Sequence, residues 1–443
     1  MIMELTASTY LIMLLGLLFG GLFLGFPMAF TLGGSAVLAA LIYSGPGMLS
    51  FAASQLYSGM LSIGLISLPL FVFIACLFER SGIAEEMFEC FRQWLAGVHG
   101  SVAMATVVVC TIIAAFSGVS TAGVVTMGII ALPLMLRYGY NKSIASGSIM
   151  AGGALAILIP PSVSFIVYGM LARVSIGKLF AGGIVPGLIL ALGYLVYINL
   201  RCRLNPELGP PVPVGDRVSF QEKVRMTRGL LVPFLLILSI LGTILIGAAS
   251  PSEAAAIGAG VALLCVAAKR KLTLALLWES CDRTFRICNM VMWIIVGAKL
   301  FATMFVTVGA ADLIRQFFLN LNVTPLVMVM IMQMTYIIMG CVTEEITMMC
   351  LTLPIYAPIL ASYGFDPVWF GVLFMINMQI GYLSPPFGYC LFYLKGVAPP
   401  EITTMDLYRS VWPFILIQIA VVLLVIFFPQ LTLWLPSNVL GLR

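Results

Sequence analysis

Ile157-Leu158-Ile159-Pro160-Pro161-Ser162 and Ser384-Pro385-Pro386-Phe387-Gly388 each set a proline doublet inside a strongly apolar stretch. A proline in a helix interior costs about 3 kcal/mol and frees backbone carbonyls, which hydrocarbon cannot satisfy. Each doublet therefore marks a broken helix that faces protein, water or an ion. The doublets lie 225 residues apart (385 − 160), and the same spacing relates Pro133 to Pro358, Tyr138 to Tyr363, Gly139 to Gly364 and Tyr168 to Tyr393. The two halves read as copies of one unit. Paired interruptions at corresponding positions of two halves point to the binding site of a transporter.

The composition places this repeat in a lipid bilayer. Of 443 residues, 62% are hydrophobic and 9% charged, against roughly 25% charged in soluble domains. Apolar runs near 20 residues, the length that crosses a core of about 30 Å, recur from Tyr10 to a last segment ending near Leu435. Met1 to Thr6 carries Glu4 and no basic cluster, so the first helix is expected to stay as an anchor rather than be cleaved. The net charge of +5 needs no nucleic-acid partner, because the cations gather in loops: Arg201, Arg203, Arg217, Lys223, Arg225 and Arg228 form one cluster and Lys269-Arg270-Lys271 another. Both are expected on the cytoplasmic side. The ten cysteines lack metal-ligand spacing and the single histidine, His99, has no ligand partners, which disfavours a metal centre or a Ser-His hydrolase.

Spans are expected near 9-28, 29-45, 62-79, 143-170 and 177-199, with an apolar stretch at 101-136 too long for one crossing. Its centre, Ser117 to Gly123, is rich in turn formers and N-cap residues, so it reads as a re-entrant hairpin. The second half repeats the plan, with spans near 231-249, 252-268, 287-308, 367-397 and 410-434 and a hairpin at 323-360 broken around Cys341 to Glu345. About five crossings per half is an odd number, so the repeats have inverted topology. With Arg80, Arg92, Arg137, Lys142, Lys395 and Arg409 cytoplasmic and Arg173, Lys178 and Arg315 as exceptions, both termini are periplasmic. The first hairpin then enters from the cytoplasm and the second from the periplasm. Segments 81-95 and 272-285 are charged and amphipathic and read as interfacial arm helices, and 201-228 as the polar linker between repeats. The fold class is an all-α polytopic membrane protein.

Broken helices offer carbonyls at their C-terminal ends, which suit Na⁺, and N–H groups at their N-terminal ends, which suit carboxylates. Ser117, Ser120, Thr121, Thr343 and Thr347 add hydroxyls at that level, and Gly118, Gly123, Gly152, Gly153, Gly340 and Gly381 allow close backbone approach. Glu344 and Glu345, at the second tip, are ionisable groups inside the membrane; they either tune cation affinity or merely favour a helix dipole. As neighbours in sequence they are expected about 100° apart on a helix. Asn377 and Gln379 need a partner, which is a substrate, an ion or a neighbouring helix. Lys299, near the middle of its span, needs a carboxylate, a carbonyl or an anionic substrate.

Gly25-Phe26-Pro27 followed by Phe30, Ser67-Leu68-Pro69-Leu70-Phe71, Ile157-Leu158-Ile159-Pro160-Pro161-Ser162, Pro251-Ser252-Glu253-Ala254-Ala255-Ala256-Ile257-Gly258 and Ser384-Pro385-Pro386-Phe387-Gly388 together resemble the large membrane subunit of tripartite ATP-independent periplasmic (TRAP) transporters, DctM-like and over nearly the whole chain. The resemblance implies an elevator-type secondary transporter in the bacterial inner membrane, not an enzyme. It implies Na⁺ as coupling ion, a small carboxylate as substrate, no cofactor, and two partners: a small membrane (Q) subunit and a periplasmic substrate-binding (P) protein. Carried over by motif, one Na⁺ site involves Ser117, Gly118, Ser120, Gly152 and Pro160, and the other Gly340, Thr343, Gln379, Gly381 and Pro385. Substrate is expected between the tips, with Thr121, Ser162, Glu344 and Asn377 facing it. Two departures from the family pattern stand out, the first tip Ser-Gly-Val-Ser-Thr and the paired Glu344-Glu345 of the second.

The resemblance also implies a division of the chain. Scaffold helices of the first repeat occupy 1-80, an arm helix 81-95, the first transport half 96-170, a scaffold helix 171-200 and the cytoplasmic linker 201-228. Scaffold helices of the second repeat follow at 229-271, an arm helix at 272-286, a transmembrane helix at 287-309, the second transport half at 310-397 and a last scaffold helix at 398-443. The nearest rival is a one-component Na⁺- or H⁺-coupled anion carrier of related architecture, of dicarboxylate or arsenite type. An intramembrane enzyme would need paired catalytic groups that only Glu344 and Glu345 approach, and a passive channel would not need two opposed hairpins.

Overall fold

The computed structural model describes residues 7–60, 64–79, 81–310, 312–314, 316, 323–341, 343–386 and 388–439. Met1 to Thr6 with Glu4, Arg80, Arg315 and Phe387 of the second proline motif lie outside them. The described elements are helices, and seven of these are long and apolar enough to cross a membrane. Of the shorter apolar helices, Ser101–Ser117, Val163–Ala172, Pro325–Gly340 and Pro367–Leu383 belong to the interrupted regions.

Both interruptions fall where the prolines place them. Lys142–Ala154 tightens into a 3-10 turn at Leu155–Ile157 and resumes as Val163–Ala172 beyond the doublet; Pro367–Leu383 stops at Ser384 and resumes as Tyr389–Val397. Both doublets hold cis peptide bonds. The expected hairpins are present as Ser101–Ser117 with Ser120–Arg137, and Pro325–Gly340 with Glu345–Ser362. The first turns at Gly118, whose φ of 62° lies in the left-handed region that glycine enters without penalty. Side-chain caps fix other helix starts: Asn141 Oδ1 accepts from the Ser143 amide at 2.9 Å, and Ser250 with Glu253 closes a capping box.

The duplication is visible in the packing, because equivalent contacts exchange between repeats. Val163–Ala172 packs on the second hairpin's Glu345–Ser362, and its counterpart Tyr389–Val397 packs on the first hairpin's Ser120–Arg137. Met28–Ser44 lies against Leu274–Thr307 while Pro251–Ala268 lies against Gly64–Glu79. Lys142–Ala154 contacts Thr404–Phe427, and Pro367–Leu383 contacts Ile176–Leu204. The interrupted helices thus sit at the centre: every residue from Val368 to Leu383 is buried. By contrast, Phe234, Leu238 and Leu264 expose their apolar side chains, as a lipid-facing surface requires.

Three segments differ from the sequence expectations. The stretch 272-286 is not a separate arm but the start of one continuous helix, Leu274–Thr307, since no glycine or proline interrupts it before the membrane. The span expected at 410-434 ends at Phe427; Pro429 begins a turn, and Gln430–Val439 packs back on Ile176–Leu204. The linker 201-228 is irregular only in its middle, with Ile176–Leu204 running into it and Phe220–Thr227 helical near its end.

The helix Ile83–Trp94 buries Ile83, Ala84, Met87 and Phe88 and uses its polar residues to hold that linker. Gln93 Nε2 donates to the Asp216 carbonyl at 2.8 Å and Gln93 Oε1 accepts from the Val218 amide at 3.2 Å. The Tyr138 hydroxyl, at the base of the first hairpin, donates to Asp216 Oδ2 at 2.7 Å and accepts from Arg92 Nη1 at 2.8 Å. Burial alone would raise the Glu89 carboxyl, but hydrogen bonds from Arg92 and Gln93 outweigh it and hold the group below its ordinary value.

Backbones also meet closely at Gly340 and Gly381, where a Cβ added to Gly381 would lie 2.8 Å from the Gly340 carbonyl oxygen. Gly381→Val should lower the thermal unfolding midpoint in detergent, by the equivalent of about 1–3 kcal/mol of overpacking. Gly396→Ala, which meets nothing within 4 Å, should leave the midpoint unchanged. Equal midpoints for the two variants would contradict the contact.

Candidate functional site

A cavity of about 390 Å³ lies between the two hairpin tips. The first tip lines it with Gly118, Val119, Ser120 and Thr121, and the second with Glu344, Glu345 and Ile346. Ile157, Val163 and Ser164 come from the first broken helix, and Tyr382 and Tyr393 from either side of the second break. The remaining wall is the inner face of Leu274–Thr307, with Arg283, Ile287, Met290 and Val291. One cavity therefore draws on both hairpins, both breaks and a long membrane helix.

Its polar centre joins the repeats. Glu345 is 8% exposed, and its two carboxylate oxygens are both engaged. Oε1 accepts from Ser164 Oγ at 3.0 Å, and Oε2 accepts a short hydrogen bond from the Tyr382 hydroxyl. Ser164 belongs to the first repeat and Tyr382 to the second. Glu344 occupies the extended cap position of its helix and accepts a longer bond of 3.4 Å from Thr347 Oγ1. That extended backbone corrects the expected divergence of the two acids: Glu344 is not yet on the helix, so both carboxylates reach one cavity. Arg283, the cation in the lining, is paired through Nη1 with Glu79 Oε2 at 3.0 Å.

Of the residues expected to hold ions, Gly118 and Ser120 line this cavity, and the others lie along the hairpins and broken helices that flank it. Ser117 is buried at the end of its helix, and its hydroxyl has no hydrogen-bond partner among the described residues. A Cβ at Gly118 would lie 2.6 Å from the Pro161 carbonyl oxygen, so the first tip presses on the first break. Ser120 begins the next helix, and Gly152 and Pro160 are buried, Gly152 against Cys110. In the second half Gly340 and Gly381 touch, and Pro385 lies at the break. Gln379 is 0% exposed with neither amide atom partnered. The Thr343 hydroxyl is instead bound to the Met339 carbonyl at 3.0 Å.

Two residues expected to face substrate do not line the cavity. Ser162 Oγ bridges the break, donating to the Ile157 carbonyl at 2.8 Å and accepting from the Phe165 amide at 3.4 Å. Asn377 is fully buried and donates to the Gln333 carbonyl at 2.9 Å and to Gln333 Oε1 at 3.0 Å, so its partner is a neighbouring helix. Thr121 and Glu344 do line it. Lys299 also stays outside, half-buried beside Leu56, Met60, Leu65, Met292, Ile295 and Val296 and without an ion pair among the described residues. Sequence reasoning missed Ser164, Tyr382, Tyr393 and Arg283. The spacing of 225 offered one signal, since it relates Tyr393 to Tyr168, but no periodicity says which tyrosine faces a cavity.

Removing the donors to a buried carboxylate should be costly. Ser164→Ala and Tyr382→Phe should each destabilise the protein by about 1.5–3 kcal/mol, the value of a hydrogen bond to a charged group, read from thermal unfolding in detergent. In the Glu345→Gln background the same substitutions should cost clearly less. An unchanged cost there would show that Glu345 is not the partner that matters.

Known proteins resemble this chain over nearly its whole length. Residues 15–431 match the family model described as "Tripartite ATP-independent periplasmic transporter, DctM component". The chain is 31% identical over 408 residues, covering 92% of it and 94% of the relative, to the C4-dicarboxylate TRAP transporter large permease protein DctM of Pseudomonas aeruginosa. It is 29% identical to the sialic acid TRAP transporter large permease protein SiaM of Vibrio cholerae, covering 96% of this chain and 97% of that one. Among solved structures, the Alcanivorax borkumensis YdaH transporter, described as having an unusual topology, superposes with a TM-score of 0.67 at 12% identity. That match covers 91% of this chain and 97% of the other. The likeness to YdaH is one of fold alone.

Proposed function

This chain belongs to the DctM component family of the tripartite ATP-independent periplasmic transporters, and from that premise we propose that it moves a small organic acid across the membrane by Na⁺-driven elevator motion. Members of the family are multi-pass inner-membrane transport proteins, not enzymes, that work with a small membrane subunit and a periplasmic binding protein. The observation that carries the mechanistic reading is the single cavity between two opposed hairpin tips, with unpartnered polar atoms beside it in each repeat.

Those atoms suit a coupling ion. The Ser117 hydroxyl and the Gln379 amide oxygen are buried acceptors left without donors, an arrangement that costs free energy unless a cation or another donor visits. Na⁺ is carried as cargo in this scheme, entering at the tip-to-break contacts as substrate enters between them. Transport then consists of moving the hairpins and broken helices, which share the central packing, against Met28–Ser44, Gly64–Glu79, Pro251–Ala268 and Leu274–Thr307. The relatives' printed substrates, a C4-dicarboxylate and sialic acid, support an organic acid as cargo here.

Uptake by the complex reconstituted in vesicles, with its binding protein and an inward Na⁺ gradient, tests this. Withholding either Na⁺ or the binding protein should abolish accumulation, and uptake that survives both omissions would reject the mechanism in favour of a one-component carrier. Ser117→Ala and Gln379→Ala should each raise the half-saturating Na⁺ concentration about tenfold, the equivalent of one lost charge-assisted contact. An unchanged Na⁺ dependence in both would remove them from the ion path.

A further inference from the structure

We infer that the cavity between the tips selects a zwitterion, an organic acid that also carries a positive, amine-type centre, rather than a dianion; this rests on the reading of that cavity as the substrate site. The charge of the lining carries the inference. Glu344 and Glu345 both face the cavity, and the cation in its wall, Arg283, is already neutralised by Glu79 at 3.0 Å. Two carboxylates are left without a cationic partner among the lining residues. Beside two acids that share one cavity without a cation, a further pair of negative charges is disfavoured, whereas an ammonium is attracted.

An independent feature marks the same end of the cavity. Tyr382 and Tyr393 line it beside the acids. Tyr389 stands between them, its ring centroid 5.4 Å from that of Tyr382 and 6.3 Å from that of Tyr393. Aromatic faces next to carboxylates are the combination that holds alkylated ammonium groups, through the ring quadrupole as well as charge. The first hairpin tip has the reverse polarity. There the 18-residue helix Ser120–Arg137 begins, with Ser120 and Thr121 in the lining, and its free N–H groups favour a carboxylate. Ile287, Met290 and Val291 add apolar surface to the lining. The two tips thus differ in the charge they favour, and a ligand that complements both carries separated charges of opposite sign.

The test reads the sign of the cavity directly in the complex of this chain with its small membrane subunit. A cysteine introduced at Val125, in the lining, is reacted with cationic trimethylammonioethyl and anionic sulfonatoethyl methanethiosulfonate. Rates are normalised to a free thiol, and the parent protein supplies the background of native cysteines. The cationic reagent should be favoured about tenfold, and Glu344→Gln should reduce that preference severalfold. Glycine betaine and beta-alanine should protect the cysteine, and succinate should not. An anionic preference, succinate protection equal to that of the zwitterions with or without Na⁺, or protection by neither zwitterion overturns the inference while leaving the carrier reading standing. That reading fails separately if Val125→Trp, at an unchanged unfolding midpoint, leaves Na⁺-driven uptake intact.

Discussion

A helix interrupted at bilayer depth exposes N–H and C=O groups that hydrocarbon cannot satisfy, so it is stable only where protein, ions or polar cargo enclose it. This chain contains two such interruptions, and the packing of the other elements follows from them. Lys142–Ala154 and Pro367–Leu383 occupy the interior because their broken ends cannot face lipid, and each break is pressed by a hairpin whose glycine or small residue allows contact. The close approach of Gly118 to the Pro161 carbonyl, and of Gly340 to Gly381, leaves no room for a side chain. Helices with no interruption, such as Pro251–Ala268, are free to sit outside and expose residues like Leu264.

That constraint also decides what could be read from the sequence. The breaks were legible because proline fixes local geometry whatever surrounds it, and the repeat was legible because corresponding prolines, glycines and tyrosines keep one spacing. The hairpins followed from length and turn chemistry. Side-chain destinations were less accessible. Ser162 and Asn377 are polar residues in the right places along the chain, yet the first bonds across its own break and the second bonds to Gln333 on an adjacent helix. Both choices depend on rotation about a helix axis, which a single sequence does not encode when every face is apolar. The misplaced arm at 272-286 has a similar cause: its charges suggested an interfacial segment, but charge alone does not end a helix.

Exchange of partners between repeats gives the centre its coherence. Glu345 belongs to the second hairpin and accepts hydrogen bonds from Ser164 of the first broken helix and Tyr382 of the second. Arg283 on Leu274–Thr307 pairs with Glu79 at the end of Gly64–Glu79, again across the two halves. A buried charge is tolerated when its hydrogen bonds are complete, and here completion requires both repeats to be assembled. Polar groups therefore specify how the repeats dock, where apolar contacts among interchangeable Leu, Ile and Met side chains would leave register weakly defined.

Symmetry of backbone with asymmetry of chemistry is the last consequence. The helix Ser120–Arg137 and the helix Glu345–Ser362 begin at positions related by the same spacing of 225, so Val119 and Ser120 correspond to Glu344 and Glu345. Duplication supplies two helix N-termini pointing at one cavity, and two identical ends would favour an anion from both sides. Placing carboxylates at one of them reverses its polarity without altering the fold. The first tip keeps its bare amides and hydroxyls, the second presents acids backed by tyrosines, and the cavity gains a direction that neither repeat has alone. A ligand with charge separated along its length is the one that such a scaffold would orient, and Glu344-Glu345 is where the two repeats differ in charge.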